Sequence, residues 1–129
     1  MKTNSKKYVD GFVIPIKKKD IAAYQKMAVW GAKTWKKYGA LEYFECIQDD
    51  LKVPKGMGPG FGKLAKLKSN ETVVFSWIVY KSKAHRDEVN KKMMAEMNKP
   101  ENVAKYKDMP MPFDMKRFYY GGFKILVEA

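Results

Sequence analysis

Four polar side chains sit inside stretches that otherwise read as strand: Asp10, Glu42, Glu45 and Ser76. A carboxyl group wrapped in apolar neighbours loses hydration, its pKa climbs, and it becomes able to take or give a proton near neutrality. Period-two alternation puts Asp10 on one face with Phe12, and Ser76 on one face with Ile78. If those two faces coincide, a carboxylate and a hydroxyl meet in a largely apolar cavity, and Asp10 is the residue to act as general base or acid. The competing reading is architectural: Asp10 pairs with Arg117 or a lysine at a subunit interface.

The other candidates carry less chemistry. His85 is the only histidine and Cys46 the only cysteine. They fall on different elements and give no metal-ligand spacing, so neither a metal nor a cofactor is expected. His85 reads as a solvated residue of a helix start, and Cys46 as a buried, inert thiol. Arg86 lies near that same helix start, where a cation is disfavoured by the dipole, so a pairing with Asp87 or Asp114 is expected. Arg117 either binds an anionic ligand or staples the loop before it. Trp77, Tyr80, Trp35, Trp30 and Tyr120 can line an aromatic pocket, although aromatics of this kind are core or interface first. The run from Gly56 to Gly62 fails both the phosphate-loop and the dinucleotide-loop spacing and reads as a mobile loop or lid. Met93, Met94 and Met97 read as core filling.

These residues must be held by a scaffold, and its centre is Thr72–Tyr80. The stretch is β-branched and aromatic throughout, with Val73, Phe75, Trp77 and Val79 on one face and Val74, Ser76, Ile78 and Tyr80 on the other. A strand apolar on both faces must be covered on both. Around it, Tyr8–Ile16 reads as a first strand that Pro15 ends or places at an edge. Asp20 caps a helix from Ile21 to about Tyr38, with an apolar stripe of Tyr24, Met27, Ala28, Gly31, Trp35 and Tyr38, and Gly39 stops it. Gly31 inside that helix implies close approach to the sheet. Leu41–Gln48 is a second strand. Residues 51–67 form a Gly/Pro-rich connection. Ser82 caps a helix over Lys83–Met97, with Val89, Met93 and Met97 inward, and Pro100 opens a short helix from Glu101 to about Lys107. The last strand runs from Lys116 or Arg117 to Val127, where Gly121–Gly122 implies a bulge or a close backbone approach.

The resulting order, β-α-β-β-α-β with one extra small helix, is the ferredoxin-like pattern: a four-stranded antiparallel sheet with two helices on one face. Two helices leave the other face bare. A bare face this apolar calls for a second copy of the chain, sheet against sheet, so a homodimer is expected. The whole is one domain over residues 8–129, preceded by a frayed arm of residues 1–7.

Bulk properties exclude several classes. The net charge is +12, from 26 basic and 14 acidic side chains, yet only Arg86 and Arg117 are arginines. Lysine is a hydrated point charge, whereas arginine makes most specific phosphate and base contacts. Specific nucleic-acid binding is therefore not expected, and loose, salt-sensitive attraction to polyanions is. With one cysteine no intrachain disulfide forms, which suits a reducing compartment. Neither an apolar leader nor a membrane-length apolar run is present, and a cytoplasmic protein is expected.

Several stretches resemble a known group: Asp10–Val13, Glu45–Cys46 with Asp49–Asp50, Val73–Ser82 followed by Arg86–Asp87, and Met111–Arg117 with Tyr120–Phe123. Together they are similar to the YbaA-like family of small bacterial proteins, a domain of unknown function. The resemblance covers the chain from Tyr8 onward and implies the dimeric α+β barrel superfamily. That superfamily includes cofactor-free monooxygenases, lactone isomerases, haem-degrading enzymes and ligand-sensing domains, so a fold of this kind does not fix the chemistry. On this reading the chain is a small cytoplasmic homodimer that binds a small molecule in an apolar cavity, with cofactor-free oxygenase or isomerase chemistry as one outcome. The alternative is a non-enzymatic polyanion-binding or structural dimer. If there is chemistry, Asp10 is the base, Arg86 or Arg117 the anion partner, and Trp77 and Tyr120 touch the ligand.

Overall fold

The computed structural model describes residues 1–129. Its main sheet has four antiparallel strands, β2 (Tyr8–Lys17), β3 (Glu42–Ile47), β4 (Glu71–Tyr80) and β5 (Tyr119–Lys124), in the order β3-β4-β2-β5. The helices α1 (Ile21–Lys37) and α3 (Lys83–Met97) complete the β-α-β-β-α-β order. Lys83–Met97 is the helix read from sequence, capped as expected by Ser82, whose side chain accepts the His85 backbone N–H.

Both helices pack on the face that carries the even-numbered residues of β2 and β4. Tyr24 of α1 meets Ile14, Ile16 and Val74, and Val89 of α3 meets Ile78, Tyr80 and Ala40. Phe12 touches both groups and joins them into one core. Met93 is buried with them, but Met94 and Met97 are exposed. The expectation of three core methionines therefore holds for Met93 alone, because positions 94 and 97 turn away from the sheet.

The opposite face carries Val9, Val13, Phe44, Phe75, Trp77, Tyr119 and Phe123, and much of it faces solvent: Phe44 is 47%, Phe75 44% and Phe123 58% exposed. Phe44 stacks on Trp77 at 4.9 Å between ring centroids.

Four details differ from the sequence reading. The arm is not wholly frayed: β1 (Lys2–Thr3) pairs with β6 (Val127–Glu128), and Lys7 forms an ion pair with Glu128. The Gly/Pro-rich connection contains a short helix, α2 (Gly60–Leu64), whose Phe61 ring reaches Phe75 on the solvent-facing side of the sheet. The extra helix, α4 (Pro100–Tyr106), begins at Pro100 itself. The last strand shows no bulge at its paired glycines; its register with β2 is unbroken from Tyr119 to Lys124. Close approach is what those glycines serve. A Cβ at Gly122 would lie 2.5 Å from the Tyr8 hydroxyl. Gly31 is explained in the same way, since a Cβ there would lie 3.2 Å from the Tyr43 hydroxyl on β3. Pro15 sits beyond the end of β5, where β2 has one neighbour instead of two.

Gly122→Ala is expected to destabilise the chain by about 1–3 kcal/mol, because Tyr8 must move from a packed position. Gly62→Ala, in open space at an ordinary backbone angle, is expected to be near neutral. Chemical denaturation of the two variants checks the contrast.

Candidate functional site

Two polar constellations lie on the helix side of the sheet, one buried around Asp10 and one at the solvent-exposed edge around Glu45. The first is built on Asp10. The register pairs Asp10 with Ile78, which turns it toward the helices, and only 1% of the residue is accessible. Arg86 comes down from the first turn of α3, and its Nη1 donates to Asp10 Oδ1 at 2.7 Å. Asn90, one turn further along α3, donates from Nδ2 to Asp10 Oδ2 at 3.4 Å. Asn90 Oδ1 in turn accepts from Trp35 Nε1 at 3.2 Å and from the Tyr80 hydroxyl at 3.3 Å. Arg86 also donates to the Tyr120 hydroxyl at 3.0 Å and to Asp87 Oδ1 at 2.7 Å, while its guanidinium lies over the Tyr8 ring.

Charge in this cluster is balanced locally. Burial works against the Arg86 cation, and the carboxylates of Asp87 and Asp10 more than offset it, so its pKa is raised. Burial and the Asp10 carboxylate raise the pKa of Tyr80, keeping it a neutral donor. The Tyr120 pKa is raised first by burial and then by Asp10. Both oxygens of the Asp10 carboxylate are thus engaged by side chains of α3. Its evident work is to tie β2 to α3.

The second constellation is built on Glu45 of the edge strand β3. Glu45 pairs across the sheet with Ser76, so it too points to the helix side. Its carboxylate accepts from the Tyr24 hydroxyl of α1 at 2.7 Å and from the Tyr43 hydroxyl at 2.8 Å. It stands on a cleft of about 380 Å³ between α1 and β3. The lining is apolar apart from Gln25 and Glu45; Tyr24, Ala28 and Ala32 form the α1 side and Ile16, Ile47 and Val74 the sheet side. Desolvation raises the Glu45 pKa, and hydrogen bonds from Tyr24, Tyr43 and Ser76 offset only part of that. Burial and the neighbouring carboxylate raise the pKa values of Tyr24 and Tyr43 in turn.

The residues singled out from sequence are thus distributed over three places. Asp10, Arg86 and Tyr120 come together, with Tyr80 and Trp35 completing the group. Trp77 lies on the opposite face of the sheet, paired with Gly11. Arg117 lies elsewhere again: it bonds Glu71 and donates to the carbonyls of Ala65 and Lys66, so it staples the end of the 51–67 connection to the start of β4. The faces of Asp10 and Ser76 do coincide, but Ser76 is opposite Glu45 rather than joined to Asp10. The partner of Asp10 is Arg86, not Arg117. His85 is half-buried, its Nδ1 accepting from the Lys81 backbone N–H at 3.0 Å. No group of three or more His, Cys, Asp or Glu side chains has the arrangement to hold a metal ion. No helix is long and apolar enough to cross a membrane.

Residues 7–115 match the model of a family described as a protein of unknown function, DUF1428. The chain is 45% identical over 124 residues to the uncharacterized protein YbaA of Escherichia coli strain K12, covering 95% of this chain and 98% of that one. The YbaA protein of Shigella flexneri is equally similar. Among solved structures, a dimeric ferredoxin-like protein from an uncultured marine organism superposes with a TM-score of 0.51 over 95% of this chain and 98% of its own. The two are 14% identical, so that likeness concerns the fold.

Two expectations follow from the constellations. Arg86→Met strands the buried Asp10 carboxylate and is expected to cost about 3–5 kcal/mol in denaturant unfolding, whereas Asp10→Asn leaves Arg86 its Asp87 partner and is expected to cost less. The joint replacement Asp10→Leu with Arg86→Met is expected to recover a large part of that loss. Glu45 gives the second expectation. Its folded pKa is above the usual 4.5, so its contribution to stability is fully present below the unfolded value and is lost as pH rises through the folded one. Glu45→Gln removes this titration. The variant is expected to gain stability relative to the parent chain as pH rises from about 4 to about 8, measured by thermal unfolding at each pH.

Proposed function

We propose, starting from a chain that belongs to the DUF1428 family of proteins of unknown function, that it acts as a homodimer binding a small, largely apolar molecule in the cleft between α1 and β3. The observation that carries this reading is the cleft itself. Its volume, its apolar walls and its single carboxyl group with a raised pKa match the usual make-up of a small-molecule site. A cofactor-free isomerase or oxygenase built on this cleft would use Glu45 as its proton acceptor. Asp10, closed off by Arg86 and Asn90, would keep the sheet and α3 in register beneath it, and Arg86 and Tyr120 would belong to that support.

The dimer part of the proposal rests on the aromatic face. Phe44, Phe75, Tyr119 and Phe123, around a half-buried Trp77, form an exposed surface larger than isolated apolar side chains make on a soluble monomer. A second copy fits it best, because two identical twisted sheets present matching apolar rows about a two-fold axis. The solved ferredoxin-like neighbour is itself described as dimeric.

A second reading, attraction of polyanions, has an observation of its own. Lys2, Lys6, Lys7 and Lys81 line a groove of about 450 Å³ with Thr3, Asn4 and Ser5 and no apolar residue. Point charges of this kind give binding that falls steeply with salt.

The test has two arms. Sedimentation of the purified chain is expected to show a dimer, and Trp77→Glu a folded monomer. A polarity-sensitive dye is expected to bind the parent chain with a blue-shifted emission, and Ala32→Phe, which fills the cleft, is expected to weaken it about tenfold or more. A monomeric parent chain would remove the dimer. Dye binding indifferent to Ala32→Phe, or dye displaced only by added salt, would remove the cleft and leave the polyanion reading.

A further inference from the structure

The shielded carboxylates of this protein each have a cation, whereas the more exposed Glu45, on the lip of the cleft, has none. Asp10 has Arg86, Glu71 has Arg117, Glu96 has Lys37 and Lys99, and Glu128 has Lys7. No ion pair in the molecule involves Glu45, whose partners are the neutral hydroxyls of Tyr24 and Tyr43. What sets Glu45 apart is that two tyrosine hydroxyls hold its carboxylate in one orientation without a cation. The uncompensated charge also has a definite place: it faces the apolar cleft.

We infer that the ligand of the cleft is a hydrophobic amine, its ammonium group seated against the Glu45 carboxylate and its hydrocarbon part lying on Ile16, Val74, Ala28 and Ala32. The inference rests on the reading of this cleft as a binding site. Three arguments select the class. A neutral or anionic ligand that displaces water from the cleft leaves the Glu45 charge further desolvated and unpaired, which is costly. An ammonium restores the missing countercharge, and its hydrogen bonds to a carboxylate are about twice as strong as neutral ones. The rings of Tyr24 and Tyr43, whose hydroxyls meet at Glu45, add aromatic surface that favours a cation over an anion. The two tyrosine hydroxyls also fix the carboxylate in place before the ligand arrives, so little ordering is left to the binding step. Desolvation raises the Glu45 pKa, and a bound ammonium would lower it.

The experiment compares hexylamine, hexanol and hexanoate by isothermal titration calorimetry, on the parent chain, Glu45→Gln and Ala32→Phe, at low salt. The parent chain is expected to bind hexylamine about tenfold or more tighter than hexanol, with no measurable affinity for hexanoate. Glu45→Gln is expected to abolish the preference for the amine, and Ala32→Phe to weaken amine and alcohol together. Below neutrality, amine binding is expected to release protons into the buffer, as the ammonium drives Glu45 to its ionised form. Equal binding of hexanol and hexylamine by the parent chain, both weakened by Ala32→Phe, would overturn the amine class and leave the cleft standing. Failure of all three compounds to bind would overturn both. The amine-to-alcohol ratio in the parent chain decides the matter even if a variant fails to fold.

Discussion

The structure depends on a strand that no single layer can satisfy. Every residue of β4 from Thr72 to Val74, and again from Ile78 to Tyr80, is buried, on both faces of the sheet. On one side α1 and α3 supply the cover. On the other, the ends of the strand are shielded at Val73 and Val79, while in its middle Phe75 remains exposed and Trp77 half-buried, with the Phe44 and Phe61 rings packed beside them. The two faces thus have different fates. The helix face is finished within the chain and holds the polar constellations. The bare face is where the chain has apolar surface to offer.

On the helix face, burial of polar groups is accepted only where the groups are mutually satisfied. The Asp10 cluster joins β2, β4, α3, β5 and the C-terminal half of α1 through one carboxylate, one guanidinium and one amide. Apart from Arg86–Asp87, each bond there joins different elements, so the cluster acts as a set of ties, and the glycine at position 122 gives Tyr8 the space to lie under Arg86. Trp35 links this cluster to the other one. Its indole N–H bonds Asn90, and its ring packs at 5.8 Å on Tyr43, whose hydroxyl bonds Glu45. The cleft is therefore floored by the same packing that the ion pair locks.

Much of this was legible in the sequence, and the reasons are local. The two-faced apolar pattern of Thr72–Tyr80, the Ser82 cap and the Gly39 stop each state their structure within a few residues. Gly39 adopts a φ of +116°, as a helix-stopping glycine should. The two-residue strands β1 and β6 were not legible, since so short a pairing has no periodicity to show. Helix α2 was hidden because its five residues include Gly60 and Gly62, which weaken any helical signal. The sites were legible by residue type but not by partner. Asp10 and Arg86 stand 76 residues apart, and Tyr24 and Glu45 stand 21 apart, so no spacing rule joins them. The signal for Glu45 was its parity: it shares the face of Tyr43 and Ile47 on a strand whose other face carries Phe44.

Comparison of the two inward-facing carboxylates shows where the fold keeps a free charge. Asp10 lies on the central strand β2, enclosed on every side, and there an unpaired charge would cost more than the fold could bear; Arg86 removes the problem by neutralising it. Glu45 lies on the edge strand, where one flank remains open to the cleft and some hydration survives, so a carboxylate held by two hydroxyls is tolerated without a cation. Position in the sheet thus decides which charge becomes a tie and which remains available. A cationic partner at Glu45 would have cancelled its charge. The chain instead places Tyr24 there, a donor that orients the carboxylate and does not cancel it. An arrangement that orients a charge, keeps its pKa high and leaves its outer side facing an apolar cleft favours interaction with something beyond the chain.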